Sequence, residues 1–168
     1  LILSDCLLES VMKLNVRLGF GLAGALILSL ALATQAGADG VSDKITVNDP
    51  YVRAVPPVVK TSAAFMQFQN SDAVEHFLVS ASTPVAAAVE LHMHTMDDGV
   101  MRMRRIAHVH LPPGETVSLE PGGLHIMLFD LSAALNPGDQ VPITLTFSDG
   151  SNMEISAQVR SVKSMMKY

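Results

Sequence analysis

From Ile45 onward the chain is written in short runs rich in Val, Ile, Thr and Phe, separated by clusters of Pro, Gly, Asp and Asn. Helical spacing of apolar residues is scarce, and turn signals close each run before a helix could complete three turns. An antiparallel all-β domain reads this way. The runs lie near 45–54, 63–70, 76–82, 89–95, 100–108, 116–119, 124–128, 141–147 and 154–162. Between them stand turn clusters such as Asp97-Asp98-Gly99, Pro112-Pro113-Gly114, Pro121-Gly122-Gly123 and Asn136-Pro137-Gly138-Asp139. Regular spacing of strands and turns predicts a sandwich or barrel. Residues 39–168 suffice for one such domain, burying about two-thirds of the unfolded surface without staples.

The region before Asp39 has a different logic. From Met12 the chain carries Lys13 and Arg17, an apolar run from Leu18 to Ala33, and then Ala36-Gly37-Ala38. A basic start, an apolar middle and a small-residue end make a secretory signal peptide with cleavage after Ala38. The run is shorter than the roughly 20 residues a membrane span needs. Residues 1–11 carry Asp5 and Glu9 where a signal peptide wants positive charge, so Met12 is read as the natural start. The expected organisation is therefore 1–38 removed, 39–168 folded, and 163–168 a flexible tail.

Charge and cysteine usage narrow the function. There are 11 Lys plus Arg against 16 Asp plus Glu, a formal charge of −5, which argues against nucleic acid as a partner. The one cysteine is Cys6, upstream of the expected cleavage. The exported domain then has no thiol, which excludes disulfides and thiolate metal sites. Export without a disulfide framework fits a Gram-negative periplasm. No insertion of the mature chain into a membrane is expected, and a monomer is.

The chain has ten Met, six His and no Trp, and the Met and His crowd between 92 and 127. Around Asp98-Gly99 the stretch LHMHTMDDGVMRM reads as a β-hairpin, because Asp-Gly is a strong hairpin signal. Strand side chains alternate, so His92 and His94 share one face, as do Met101 and Met103 on the return. A two-residue loop pairs His94 with Met103. A four-residue loop pairs His92 with Met103 and His94 with Met101. An odd loop would instead set the Met pair against Thr95 and Met93. Further on, His125-Ile126-Met127 again puts a His and a Met on one face.

Taken singly, each Met is ordinary core filler and each His an ordinary surface or hydrogen-bonded residue. The weight comes from two His/Met pairs at strand spacing in an exported chain without thiols. Thioether sulfur is a soft donor that selects Cu(I), and imidazole binds copper well. Structural zinc prefers Cys with His, and calcium and magnesium want oxygen, which leaves copper(I).

These residues resemble the PCuAC family of periplasmic copper(I) chaperones. The family pattern is His or Met, ten residues, Met, twenty-one residues, then His-x-Met. His92, Met103 and His125-Ile126-Met127 meet it without a gap. The Asp-Gly turn, the Pro-Gly-Gly before His125, the Asn-Pro-Gly-Asp turn and the early Pro-Tyr-Val-Arg segment are similar too, so the likeness runs from Ile45 to Val162. The resemblance implies a cupredoxin-like Greek-key β-sandwich and a metal site of His92, Met103, His125 and Met127. It also implies delivery of copper to the binuclear centre of a respiratory oxidase, either directly to the copper-accepting subunit or through a thiol-bearing assembly factor. Some members add a His- and Met-rich tail; here Met165 and Met166 come without His, and no tail site is expected.

His94 is expected beside the site rather than in it. Met93, Met96 and Met101 are candidates for thioethers at its rim. His108 and His110 read as surface residues, and Arg102, Arg104 and Arg105 as a solvated patch near the site. A blue-copper electron carrier is excluded by the missing Cys. A hydrolytic enzyme would need a His/carboxylate cluster with an open position, which is not evident, so no catalytic residue is assigned. General copper storage or resistance, and a β-sandwich interaction module without metal, are the alternatives.

Overall fold

The computed structural model describes residues 40–161. They fall within the second of two compact units, which spans 38–168. The expected signal peptide, its cleavage site and the tail lie outside the described residues. A short 3₁₀ turn, Val41–Asp43, precedes ten strands: β1 Ile45–Arg53, β2 Thr61–Asn70, β3 His76–Ser82, β4 Ala86–Asp97, β5 Val100–Arg105, β6 Val109–Leu111, β7 Thr116–Leu119, β8 Leu124–Leu131, β9 Gln140–Phe147 and β10 Asn152–Arg160. Among the described residues no helix is long and apolar enough to cross a membrane.

All ten strands join in one hydrogen-bonded sheet ordered β5-β4-β8-β7-β2-β1-β10-β9-β3-β6, with β8 also pairing β2. This non-sequential order is the weave expected of a Greek-key chain. The sheet wraps on itself, so residues from both halves meet in a single core. Val52, Ala64, Phe68, Leu78, Ile126, Leu128, Ile143, Leu145 and Ala157 are fully buried in it. The all-β expectation holds, and most predicted strands start and stop within a few residues of the observed ones.

One predicted run divides. The chain expected to continue from 100 to 108 leaves β5 after Arg105, and the Ile106 N–H turns to the Leu91 carbonyl. It crosses from β5, one edge of the sheet, to β6 at the other edge, where Val109 pairs with Leu78 and Leu111 with His76. Alternation falters at Arg104-Arg105-Ile106, where two charged residues stand together, but a faltering pattern does not say that the chain leaves for the other edge of the sheet. His108 and His110 are exposed as expected. Their rings pack on Phe77, at 5.0 and 5.2 Å between centroids, and His110 bonds Glu75 at 2.8 Å.

Candidate metal centre

The β4–β5 hairpin decides which side chains can meet. Asp98 and Gly99 form its two-residue loop with φ of 49° and 79°, the left-handed backbone that a tight hairpin turn of primed type requires. The register follows: Asp97 opposite Val100, Met96 opposite Met101, His94 opposite Met103 and His92 opposite Arg105. Of the two even loops that the sequence allows, the shorter one is realised. His94, not His92, stands directly across from Met103.

β8 lies on the other side of β4, with His125 opposite His92, Ile126 opposite Leu91 and Met127 opposite Glu90. Leu91, Ile126 and Leu128 point into the core. Their neighbours Glu90, His92, His94, His125 and Met127 must then share the outer face of the sheet. Met103 joins this face through its pairing with His94. Met93 falls on the other parity, with Leu91 and Thr95, and does not reach it.

His125 is only 3 % exposed although it lies on the outer face. The His94 ring stacks on it at 4.9 Å, the His92 ring sits at 6.0 Å and Phe65 at 6.3 Å. Beside these rings opens a cavity of about 330 Å³, lined by His94, Met103, His125 and Met127 together with Phe65 and Arg53. Ala63 of β2 is the cross-strand partner of Met127, and its small side chain leaves the space. His92 does not line this cavity.

Two of the imidazoles are each fixed through one nitrogen. His125 Nδ1 donates to the Gly123 carbonyl at 3.0 Å, which leaves Nε2 as the lone-pair nitrogen, buried and without a partner. His92 Nε2 bonds the Glu90 carboxylate at 2.8 Å, and its Nδ1 is likewise buried and unpartnered. Metal-binding histidines are commonly oriented by a carbonyl or carboxylate on the far nitrogen. His94 Nδ1 is also buried without a partner. Burial, above all, holds the His125 imidazole below its ordinary pKa, and nearby His94, His92 and Arg53 push the same way against the Gly123 carbonyl. The His92 hydrogen bond keeps the Glu90 carboxyl below its usual value.

Among the described residues no three His, Cys, Asp or Glu side chains are gathered to hold a metal by themselves. Met103 and Met127 add thioethers to this face beside the imidazoles, a donor set of the kind that suits a soft metal.

Sequence reasoning missed Glu90. The signal was there in Glu90-Leu91-His92, where strand alternation puts the carboxylate on the imidazole's face. It also grouped three arginines that the structure divides. Arg105 faces the site and bonds Glu90 at 3.2 Å, whereas Arg102 and Arg104 lie on the opposite face and pair with Asp97 at 3.6 and 3.1 Å.

Residues 45–159 match the family described as "Putative lipoprotein LpqE-like". The chain is 31 % identical over 141 residues to "Putative lipoprotein Lxx21020" of Leifsonia xyli, covering 83 % of this chain and 82 % of that one. DR1885 of Deinococcus radiodurans has been solved apo and with Cu(I). The apo form matches at 30 % identity and a TM-score of 0.57 over 92 % of this chain and 97 % of that one. The Cu(I) form matches at 31 % and 0.54 over 77 % and 85 %. The copper-bound PCuAC domain of PmoF2 matches at 25 % identity and a TM-score of 0.60, over 70 % of this chain and 93 % of that domain. By sequence and by fold together, the chain belongs to the LpqE-like family and is a protein of the PCuAC type.

Proposed function

We propose that this protein is an exported Cu(I) metallochaperone that carries copper on the outer face of β4, β5 and β8. Met103 and Met127 supply the soft donors, and His92 Nδ1 and His125 Nε2 complete the set. The observation that carries the reading is the pair of buried, unpartnered imidazole nitrogens, each on a ring fixed through its other nitrogen. An unpaired polar atom under cover is costly unless it has a ligand to meet. The Cu(I)-bound structure of DR1885 supports the same ion, and the copper-bound PCuAC domain of PmoF2 the same metal.

A second ligand set is favoured by a specific observation: the cavity is lined by His94 and not His92. In that set His94 would bind with Met103, its cross-strand partner, while His92 and Glu90 support His125 from behind. The family spacing favours His92.

Without thiolate the site holds copper moderately, as a carrier must. Partner cysteines offer Cu(I) a stronger site, so transfer runs downhill from thioether to thiolate. Met103 is 46 % exposed, and a partner's ligand can enter beside it before the buried ligands let go. The acceptor is a copper-accepting subunit of a respiratory oxidase or a thiol-bearing assembly factor, met in the periplasm. The signal-peptide pattern of residues 12–38 and the lipoprotein relatives support export. Mixing the Cu(I)-loaded protein with a soluble two-cysteine acceptor domain tests delivery. Copper should leave for the acceptor; copper retained against it would mark a storage protein instead.

A further inference from the structure

Two methionines on the candidate face are left over by the reading above. Met96 and Met101 are direct cross-strand partners at the end of the β4–β5 hairpin, 67 % and 57 % exposed. One exposed apolar side chain is ordinary. Two thioethers set opposite each other are a pair of soft donors, because cross-strand Cβ atoms lie about 4.5–5.5 Å apart.

Their parity places them in a row with the inner residues. From the tip inward, this face of the hairpin presents Met96 and Met101, then His94 and Met103, then His92 beside His125. Methionine exposure falls along the row, from 67 and 57 % to 46 % at Met103. The hairpin's charges lie mostly on the other face, where Arg102 and Arg104 pair with Asp97. A cation arriving at the tip meets thioethers before it meets guanidinium. Those ion pairs also bridge the two strands from behind, while the two-residue loop sets the register that keeps Met96 against Met101.

His94 stands between the two levels. It is one alternation inward of Met96, diagonal to Met101 and directly across from Met103, within reach of long side chains on either side. Its Nδ1 is buried and unpartnered.

We infer that Met96 and Met101, with His94 as the imidazole between the two levels, form an outer Cu(I) site through which copper enters and leaves the inner one. It takes the bare or weakly ligated Cu(I) ion, holds it by two thioethers and one nitrogen, and passes it inward by exchange of neutral ligands with no change in oxidation state. Two soft donors and a borderline one, open to water, bind more weakly than the inner set, so the outer site fills second at equilibrium and first in time. The inference rests on reading this face as a Cu(I) carrier.

The test uses the purified protein under anaerobic conditions, titrated with Cu(I) supplied as its acetonitrile complex, with the methionine ε-methyl signals followed by NMR. The first equivalent should move Met103 and Met127, and a second, weaker equivalent should move Met96 and Met101. The Met96→Leu/Met101→Leu double variant should lose the second equivalent, keep the affinity of the first and load more slowly from the acetonitrile complex. The inference is overturned if the second equivalent leaves Met96 and Met101 unmoved, or if the double variant binds two equivalents and loads at the parent rate. A protein that binds no first equivalent overturns the carrier reading and this inference with it. A normal first equivalent with no second overturns this inference alone.

Discussion

Replacing Glu90 by Ala separates the two ligand sets that the face allows. The carboxylate makes two contacts, to His92 Nε2 at 2.8 Å and to Arg105 Nη1 at 3.2 Å. Arg105 is 70 % exposed, so solvent screens its ion pair and the loss should leave folding stability little changed. The His92 contact is different in kind. His92 is only 12 % exposed in its side chain, and the Glu90 carboxylate fixes its ring through Nε2 and leaves Nδ1 buried and unpartnered. Removing a partner of this type commonly weakens metal binding about 10- to 100-fold. Chelator competition for Cu(I) measures that loss directly, with circular dichroism confirming an intact fold. Glu90→Gln, which keeps an acceptor oxygen but no charge, should fall between parent and Ala. If Glu90→Ala binds Cu(I) as tightly as the parent, the Glu90–His92 pair plays no part in coordination, and His94 is the fourth ligand.

The soft donors give a separate signature. Met103→Leu and Met127→Leu keep side-chain volume, so each should cost on the order of 1 kcal/mol of stability or less while Cu(I) affinity drops sharply; a chelator titration beside a thermal melt checks both halves. In the apo protein the His125 imidazole should titrate below the ordinary value of about 6.5 seen for an open histidine, because burial disfavours its cation. As pH falls the unfolded chain takes up this proton first, so apo stability should decline below about pH 6.5. NMR titration of the ring signals and melts across that range measure the two effects.

Much of the fold was legible because β-structure leaves a local trace. Turn clusters and alternating runs located most strands, and Asp98-Gly99 announced the hairpin. Within each strand the shared face was legible for the same reason, His92 with His94 and His125 with Met127, Ile126 marking the core side; that β4 and β8 pair was not. The sequence was silent wherever the answer depended on partners distant along the chain. Hairpin chemistry left the loop length open, and with it parity and whether His92 or His94 would oppose Met103. The crossing after Arg105 joins strands at opposite edges of the sheet; the broken alternation at Arg105-Ile106 marks an interruption but not its destination. The cavity beside His125 depends on Ala63, a β2 residue whose role appears only once β2 is laid against β8.

The carrier reading stands or falls on whether the four donors bind Cu(I) as one site. Titrating the purified protein with Cu(I) against a colorimetric Cu(I) chelator is the most direct measurement. The account predicts that the parent withdraws one tightly held equivalent and that replacing both Met103 and Met127 by Leu abolishes this competition without unfolding the protein. A parent that leaves the chelator fully loaded, or a double variant that competes as well as the parent, would contradict it.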